Sequence, residues 1–222
     1  MIRMTSEAIH QVNIRVDGAI LATGVDYEAF LHGDDFNGLH AEWVNGLVIL
    51  MPSIDARHDL LSQFLSSLFA AYLSETGSGI LLRDPFIMRL PNVPSGRAPD
   101  CQVILNERLG QLRTYELDGP ANLVVEIVSK GTHRRDRVEK FAEYEQGGVD
   151  EYWVVDYLRK EGLFYQRNAE GLYEPAELDE AGVYHSRVLP GLSLQVALLW
   201  EKQLPNIVEV VNMVMQMLRE PK

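Results

Sequence analysis

NLVVEIVSKGTHRRDRVEKFAEYEQGGVDEYWVVD, residues 122–156, decides the fold. Asn122 to Ser129 is a nearly continuous β-branched run, as expected of a central strand covered on both faces. Lys130-Gly131-Thr132 ends it. The pattern then predicts a helix from about His133 to Gln146, stopped by Gly147-Gly148, and a second apolar strand from Glu151 to Asp156. A strand, helix, strand order implies parallel strands joined by a right-handed crossover. Glu126 is the anomaly in this run. Taking a carboxylate out of water costs several kcal/mol unless a partner or a metal compensates. Asp100, in Ala98-Pro99-Asp100-Cys101, repeats the anomaly in another strand-like segment. Two such acids on neighbouring strands suggest a divalent cation between them.

Working outward, Glu42-Trp43-Val44 and Leu47-Val48-Ile49-Leu50 flank Asn45-Gly46, the pair preferred in a type I′ turn, so His40 to Met51 reads as a hairpin. Pro52-Ser53-Ile54-Asp55 breaks the strand and caps a helix running to about Ser74, with Leu60, Leu61, Phe64, Leu65, Leu68 and Tyr72 at helical spacing. Phe30 to Asp35 reads as a turn. Short strands are expected at Gly79–Leu82, Pro85–Leu90 and Pro99–Leu105, with loops at Pro91–Arg97 and Asn106–Pro120. After Asp156, short antiparallel strands are expected near Leu163–Arg167, Leu172–Glu174, His185–Leu189 and Leu194–Val196. From Asn206 to Arg219, apolar residues at helical spacing predict an amphipathic C-terminal helix, whose broad face would pack on its own domain or bury a dimer contact.

The chain has 222 residues, 46% hydrophobic and 23% charged, enough for one large domain or barely two, and without a linker rich in Pro, Gly or Ser it reads as one. Residues 1–25 read as an N-terminal extension or edge strand, 26–200 as the core and 206–219 as a terminal helix. No apolar run approaches the roughly 20 residues needed to span a membrane, and the N-terminal stretch lacks a signal-peptide core. With a single cysteine, Cys101, no intrachain disulfide is possible, and the cytoplasm is the expected compartment. Cys101 itself reads as an inert core thiol. The net charge of −12 argues against a general nucleic-acid binder, but it is unevenly spread: residues 81–140 hold ten basic against eight acidic residues. Five of those bases, Lys130, Arg134, Arg135, Arg137 and Lys140, follow Glu126. They read either as an attractor for phosphate or as a solvated helix face.

Hydrolysis of a phosphodiester calls for a metal that activates water and neutralises developing charge, and a magnesium-like ion prefers carboxylate oxygens and water. Asp100 and Glu126 supply such oxygens, the Ile127 carbonyl could complete the shell, and Glu42 is a third candidate acid. A cation is also required to orient the attacking water, a contribution of ~2.7–4 kcal/mol when such a donor is lost.

The run Glu42-Trp43-Val44-Asn45-Gly46, then His58, Pro99-Asp100, Val125-Glu126-Ile127-Val128-Ser129, Asp136, Lys140, Tyr144 and Gly148 to Asp156, resembles the Uma-type putative restriction endonuclease family of the PD-(D/E)XK nuclease superfamily. The resemblance covers roughly residues 25 to 200. It implies a restriction-endonuclease-like α/β/α core (α+β) with a central mixed sheet, magnesium-dependent cleavage of DNA, with manganese as a substitute ion, and a homodimer. It also implies a site of Asp100 and Glu126 with Lys140, Glu42 and His58; the competing readings are that His58 is a structural hydrogen-bonder rather than a contact to a phosphate or water, and that Glu42 is an exposed strand-end residue beside a turn.

One position departs from the superfamily pattern. The lysine expected two residues after the Glu is Val128 here, and the resemblance points instead to Lys140 as a migrated lysine. Asp136, Lys140 and Tyr144 fall on one helical side. The competing reading is an Asp136–Lys140 ion pair worth ~0.3–0.5 kcal/mol. Lys130, with the strand parity of Glu126, is a second candidate. Tyr152 and Trp153 read as core residues and Asp156 as a turn former. A metal-dependent deoxyribonuclease is therefore weighed against a non-catalytic DNA-binding or oligomerising module of the same fold. No Gly-x-Ser-x-Gly or phosphate-binding glycine loop supports a serine hydrolase or nucleotide-binding enzyme.

Overall fold

The computed structural model describes residues 19–129 and 135–219. Two six-stranded sheets carry the fold. The first contains β1 (Ala19–Ala22), β2 (Ala41–Val44), β3 (Leu47–Leu50), β5 (Ile87–Leu90), β6 (Ser95–Arg97) and β8 (Glu116–Asp118), in the order β1-β3-β2-β6-β5-β8. The second contains β4 (Gly79–Leu82), β7 (Cys101–Leu105), β9 (Leu123–Ile127), β10 (Glu151–Asp156), β11 (Glu161–Arg167) and β12 (Tyr173–Pro175), in the order β12-β11-β10-β9-β7-β4. In this second sheet β9 and β10 are parallel and the other pairs antiparallel, so the mixed central sheet and its crossover are present as expected.

Strand alternation divides the interior. Leu123, Val125 and Ile127 of β9, with Trp153 and Val155 of β10, face helix α2 (Ala56–Thr76) and the C-terminal helix α4 (Ile207–Arg219). Val124 and Val128, with Tyr152 and Val154, face the opposite side, where helix α3 (Lys140–Gly147) packs with Met88 and Leu90 of β5. Glu126 shares the parity of Val124 and Val128. Its carboxylate is therefore delivered to the α3 side rather than into the apolar layer under α2.

Local chemistry explains the elements that frame this layer. Asn45 and Gly46 take positive φ values of 48° and 82°, the type I′ geometry the hairpin β2–β3 requires. The Asp55 carboxylate caps α2 by accepting from the N–H groups of Arg57 and His58, and Gly77 ends the helix in the left-handed conformation. Within α2, Leu61, Phe64, Leu65, Leu68 and Tyr72 are buried, whereas Leu60 faces outward. One π-helical turn, Arg135–Glu139, leads into α3, so the described part of the expected helix begins differently from a plain α-helix. Gly148 closes α3 at φ 92°. At Gly147 a Cβ would lie 2.6 Å from Leu90 Cδ1, so the glycine permits α3 to press against β5.

Several segments differ from the sequence expectation. Tyr27–His32 is a short helix, α1, rather than a turn from Phe30, because Asp26 caps it and Tyr27 and Phe30 are buried beneath it. The hairpin extends into a larger sheet. It joins β5 through β6, a strand within the expected loop Pro91–Arg97. In the polar connection Asn106–Pro120, a 3-10 turn at Asn106–Gln111 is followed by β8, whose Leu117 is fully buried. The remaining strands, β13 (Val183–His185) and β14 (Ser193–Gln195), pair with each other.

Three chain features bear on the expectations for the surface and core. Tyr152 and Trp153 are core residues. The Asp156 side chain accepts from the N–H groups of Leu158 and Arg159, making the turn expected of it. On α4, Val210 and Val214 are buried against the core while Ile207, Val208 and Val211 remain exposed. Among the described residues no helix is long and apolar enough to cross a membrane.

Candidate active site

Asp100 sits in the bend just before β7, and its carboxylate reaches across to β9. Its Oδ2 accepts from the Ile127 N–H at 2.6 Å, which fixes it beside Glu126. Its Oδ1 lies 3.4 Å from Nε2 of His58, an early residue of α2. His58 is almost completely buried. Burial alone would disfavour its charged form, but the hydrogen bond and charge of Asp100 outweigh this and raise the His58 pKa above its ordinary value.

Glu126 meets the helix on its own side of the sheet. Lys140 Nζ lies 2.7 Å from Glu126 Oε1, and the Tyr144 hydroxyl donates to the same oxygen at 2.6 Å. Lys140 and Tyr144 are one helical turn apart, which is why both reach the same strand position. Burial, then the neighbouring Glu126 and Glu42 charges, push the Tyr144 phenol well above its usual pKa, so it acts as a donor. Val128 is fully buried in the apolar layer on this face. Lys140 thus reaches from the helix into the side of the sheet from which a lysine at position 128 would have projected. Lys130, the second lysine candidate, and the Asp136 side chain of the Asp136–Lys140 pair lie outside the described residues.

Behind Lys140 stands a buried charge network. Glu42, inaccessible to solvent, accepts from Arg97 Nη1 at 2.8 Å and from the Ala98 N–H at 3.3 Å, and its Oε1 lies 3.1 Å from Lys140 Nζ. Arg97 also forks onto Glu143, with Nε at 2.8 Å and Nη2 at 2.6 Å, and Ser95 Oγ donates to the same carboxylate. Glu42 is consequently engaged by two cations and a backbone N–H. Sequence reasoning missed Arg97 and Glu143 altogether. The Pro, Gly and Ser content of residues 91–97 masked the strand that buries Arg97.

Asp100, Glu126, Ile127, His58 and Lys140 line one small cleft of about 30 Å³, together with His40, Asp84 and Ser129. That volume holds only one or two water molecules. Among the described residues no three His, Cys, Asp or Glu side chains gather closely enough to enclose a metal ion. The donor set still suits a hard cation. Each Asp100 oxygen retains a lone pair beyond its present contact, the Ile127 carbonyl is adjacent, and magnesium commonly keeps several waters with only one or two carboxylates.

Not every buried carboxylate belongs to this cleft. Glu151, at the start of β10, accepts from Trp153 Nε1, the Tyr184 hydroxyl, Ser186 Oγ and the N–H groups of Arg187 and Val188. These donors fix the chain between β13 and β14 against the central sheet, a structural use of an acid. Cys101 is buried, and burial pushes its thiol up to about 12.

Comparisons with known proteins agree with this architecture. A solved structure described as a putative nuclease belonging to DUF820 from Anabaena variabilis ATCC 29413 superposes with a TM-score of 0.60, covering 72% of this chain and 89% of that chain at 15% identity. The two therefore share a fold. No curated protein matched. The model of the Uma2 family, described as "Putative restriction endonuclease", matches residues 26–197. The chain belongs to the Uma2 family.

Proposed function

We propose that this protein is a magnesium-dependent DNA endonuclease, hydrolysing phosphodiester bonds at the Asp100–Glu126 cleft. The observation that carries this reading is the Lys140 ammonium, 2.7 Å from Glu126 on the strand face left without a lysine by Val128. Asp100, Glu126 and the Ile127 carbonyl would hold the ion. When bound, it would supply Lewis-acid stabilisation of the charge developing on the phosphate and make water easier to deprotonate. Manganese would serve in its place.

The protein groups have distinct tasks in this reading. Lys140 orients the attacking water and offsets negative charge as the phosphate gains a fifth oxygen. Glu42 and Tyr144 hold Lys140 and Glu126 in register. His58 fixes Asp100 through its ring rather than touching the substrate, because the ring is almost wholly buried and lies 3.4 Å from that carboxylate. The exposed Ile207, Val208 and Val211 of α4 offer a homodimer contact that would present two clefts to a duplex.

Supercoiled plasmid and single-stranded DNA incubated with Mg²⁺ or Mn²⁺ test the proposal. Cleavage that disappears with EDTA and in Glu126→Ala supports it. Intact DNA under every condition would favour the non-catalytic module.

A further inference from the structure

The cleft contains a second histidine–aspartate pair that the sequence analysis did not single out. His40 precedes β2, and Asp84 precedes β5, 44 positions along the chain. His40 Nε2 and Asp84 Oδ1 are 2.7 Å apart. Both residues line the cleft with Asp100, Glu126 and Lys140. Among the described residues, the two histidines that line the cleft differ in one decisive respect: the His40 side chain is 41% exposed and the His58 side chain 5%. A ligand entering from solvent can reach His40, whereas the His58 ring is almost wholly buried beside Asp100.

We infer that His40 is a substrate-binding residue of this site, donating from its ring to a non-bridging oxygen of the scissile phosphate, with Asp84 as its positioning residue. The assignment rests on the nuclease reading above and deepens it. Asp84 accepts from Nε2–H, which leaves Nδ1 as the ring atom available to a substrate. Nδ1 donates only when the ring is charged. The Asp84 hydrogen bond favours that form, against burial, and the charges of Asp84, Glu42 and Asp100 add to it.

The backbone makes the placement firm. The His40 carbonyl accepts from Met51 N–H, extending the hairpin ladder by one pair, and the Asp84 N–H donates to the Pro99 carbonyl immediately before Asp100. His40 is thereby tied to β3 and Asp84 to the segment that presents the metal-binding carboxylate. An imidazolium here would place positive charge at the mouth of a cleft otherwise dominated by carboxylates, where an approaching phosphodiester needs it.

The test is steady-state cleavage of a short duplex in Mg²⁺ by wild type, His40→Gln, Asp84→Asn and the double variant, with folding checked by circular dichroism. Loss of the charged contact lowers kcat/KM by about tenfold to hundredfold in His40→Gln. Asp84→Asn gives a smaller loss in the same direction, and the double variant is no worse than His40→Gln, because Asp84 acts through the ring. Wild-type kcat/KM in folded His40→Gln would overturn the assignment and leave the nuclease reading standing. Additive losses would overturn the role given to Asp84. A wild type that never cleaves, with Asp100 and Glu126 intact, would overturn both.

Discussion

Replacing Arg97 with Met tests whether the charge network behind Lys140 is as tightly built as its geometry indicates. Arg97 is 1% exposed and holds two carboxylates, Glu42 at 2.8 Å and Glu143 at 2.6 Å. Removing one partner of a buried pair typically costs about 3–5 kcal/mol, because the remaining charge is left uncompensated. Glu42 would keep Lys140 at 3.1 Å, and Glu143 lies nearer the surface, so the loss should fall near the lower end of that range. For a chain of this length each kcal/mol lowers the melting temperature by roughly 2–4 °C, giving a fall of roughly 6–12 °C. Urea unfolding followed by circular dichroism measures the loss directly. Adding Glu143→Met should recover part of it, since apolar replacement of both partners removes the stranded charge. A loss below about 1 kcal/mol, the scale of an exposed pair, would refute the reasoning by showing that water already solvates the network.

Three further outcomes are expected. Lys140→Met should lower the cleavage rate by about a hundredfold to a thousandfold in plasmid-nicking assays while Tyr144 continues to hold Glu126; an unchanged rate would move the cation role elsewhere, with Lys130 the next variant to make. The His40–Asp84 pair should make stability depend on pH in a defined direction. Its folded pKa is raised from 6.5, so the advantage of wild type over His40→Gln should be fully present below that value and vanish as pH rises through the raised one; an advantage growing with pH would contradict this. Finally, Cys101, with its thiol pushed up to about 12, should resist iodoacetamide at neutral pH in the native protein and react promptly in urea, as mass spectrometry would show; rapid native labelling would mean that the core opens there.

What the sequence made legible was local. Asn45-Gly46 specified the hairpin because a type I′ turn needs positive φ at both central residues, which Asn and Gly tolerate, and Asp55 with Gly77 marked the limits of α2 by capping chemistry. Lys140 and Tyr144 could be assigned to one side of α3 because four residues bring a helix back to the same face, and both do meet Glu126. What stayed hidden depended on long-range pairing. Gly96 makes β6 possible by letting the chain pass close to Tyr27, where a Cβ would lie 2.7 Å from the ring, yet in the sequence it reads as a loop glycine. Arg97 disappeared with it. Glu151 shows the limit of the opening argument: like Glu126 it stands in an apolar strand, but its compensation comes from hydroxyl, indole and backbone donors supplied mainly by residues 184–188. A buried carboxylate signals a compensating partner, and its neighbours in space decide whether that partner is a metal.

The central claim is that Asp100 and Glu126 jointly hold the ion that cleavage needs. Manganese binding by electron paramagnetic resonance, measured alongside duplex cleavage in wild type, Asp100→Ala and Glu126→Ala, tests it most directly. The account predicts bound manganese and cleavage in wild type, with both lost together in each folded variant. Manganese bound equally well by the variants, or cleavage that survives either substitution, would contradict it.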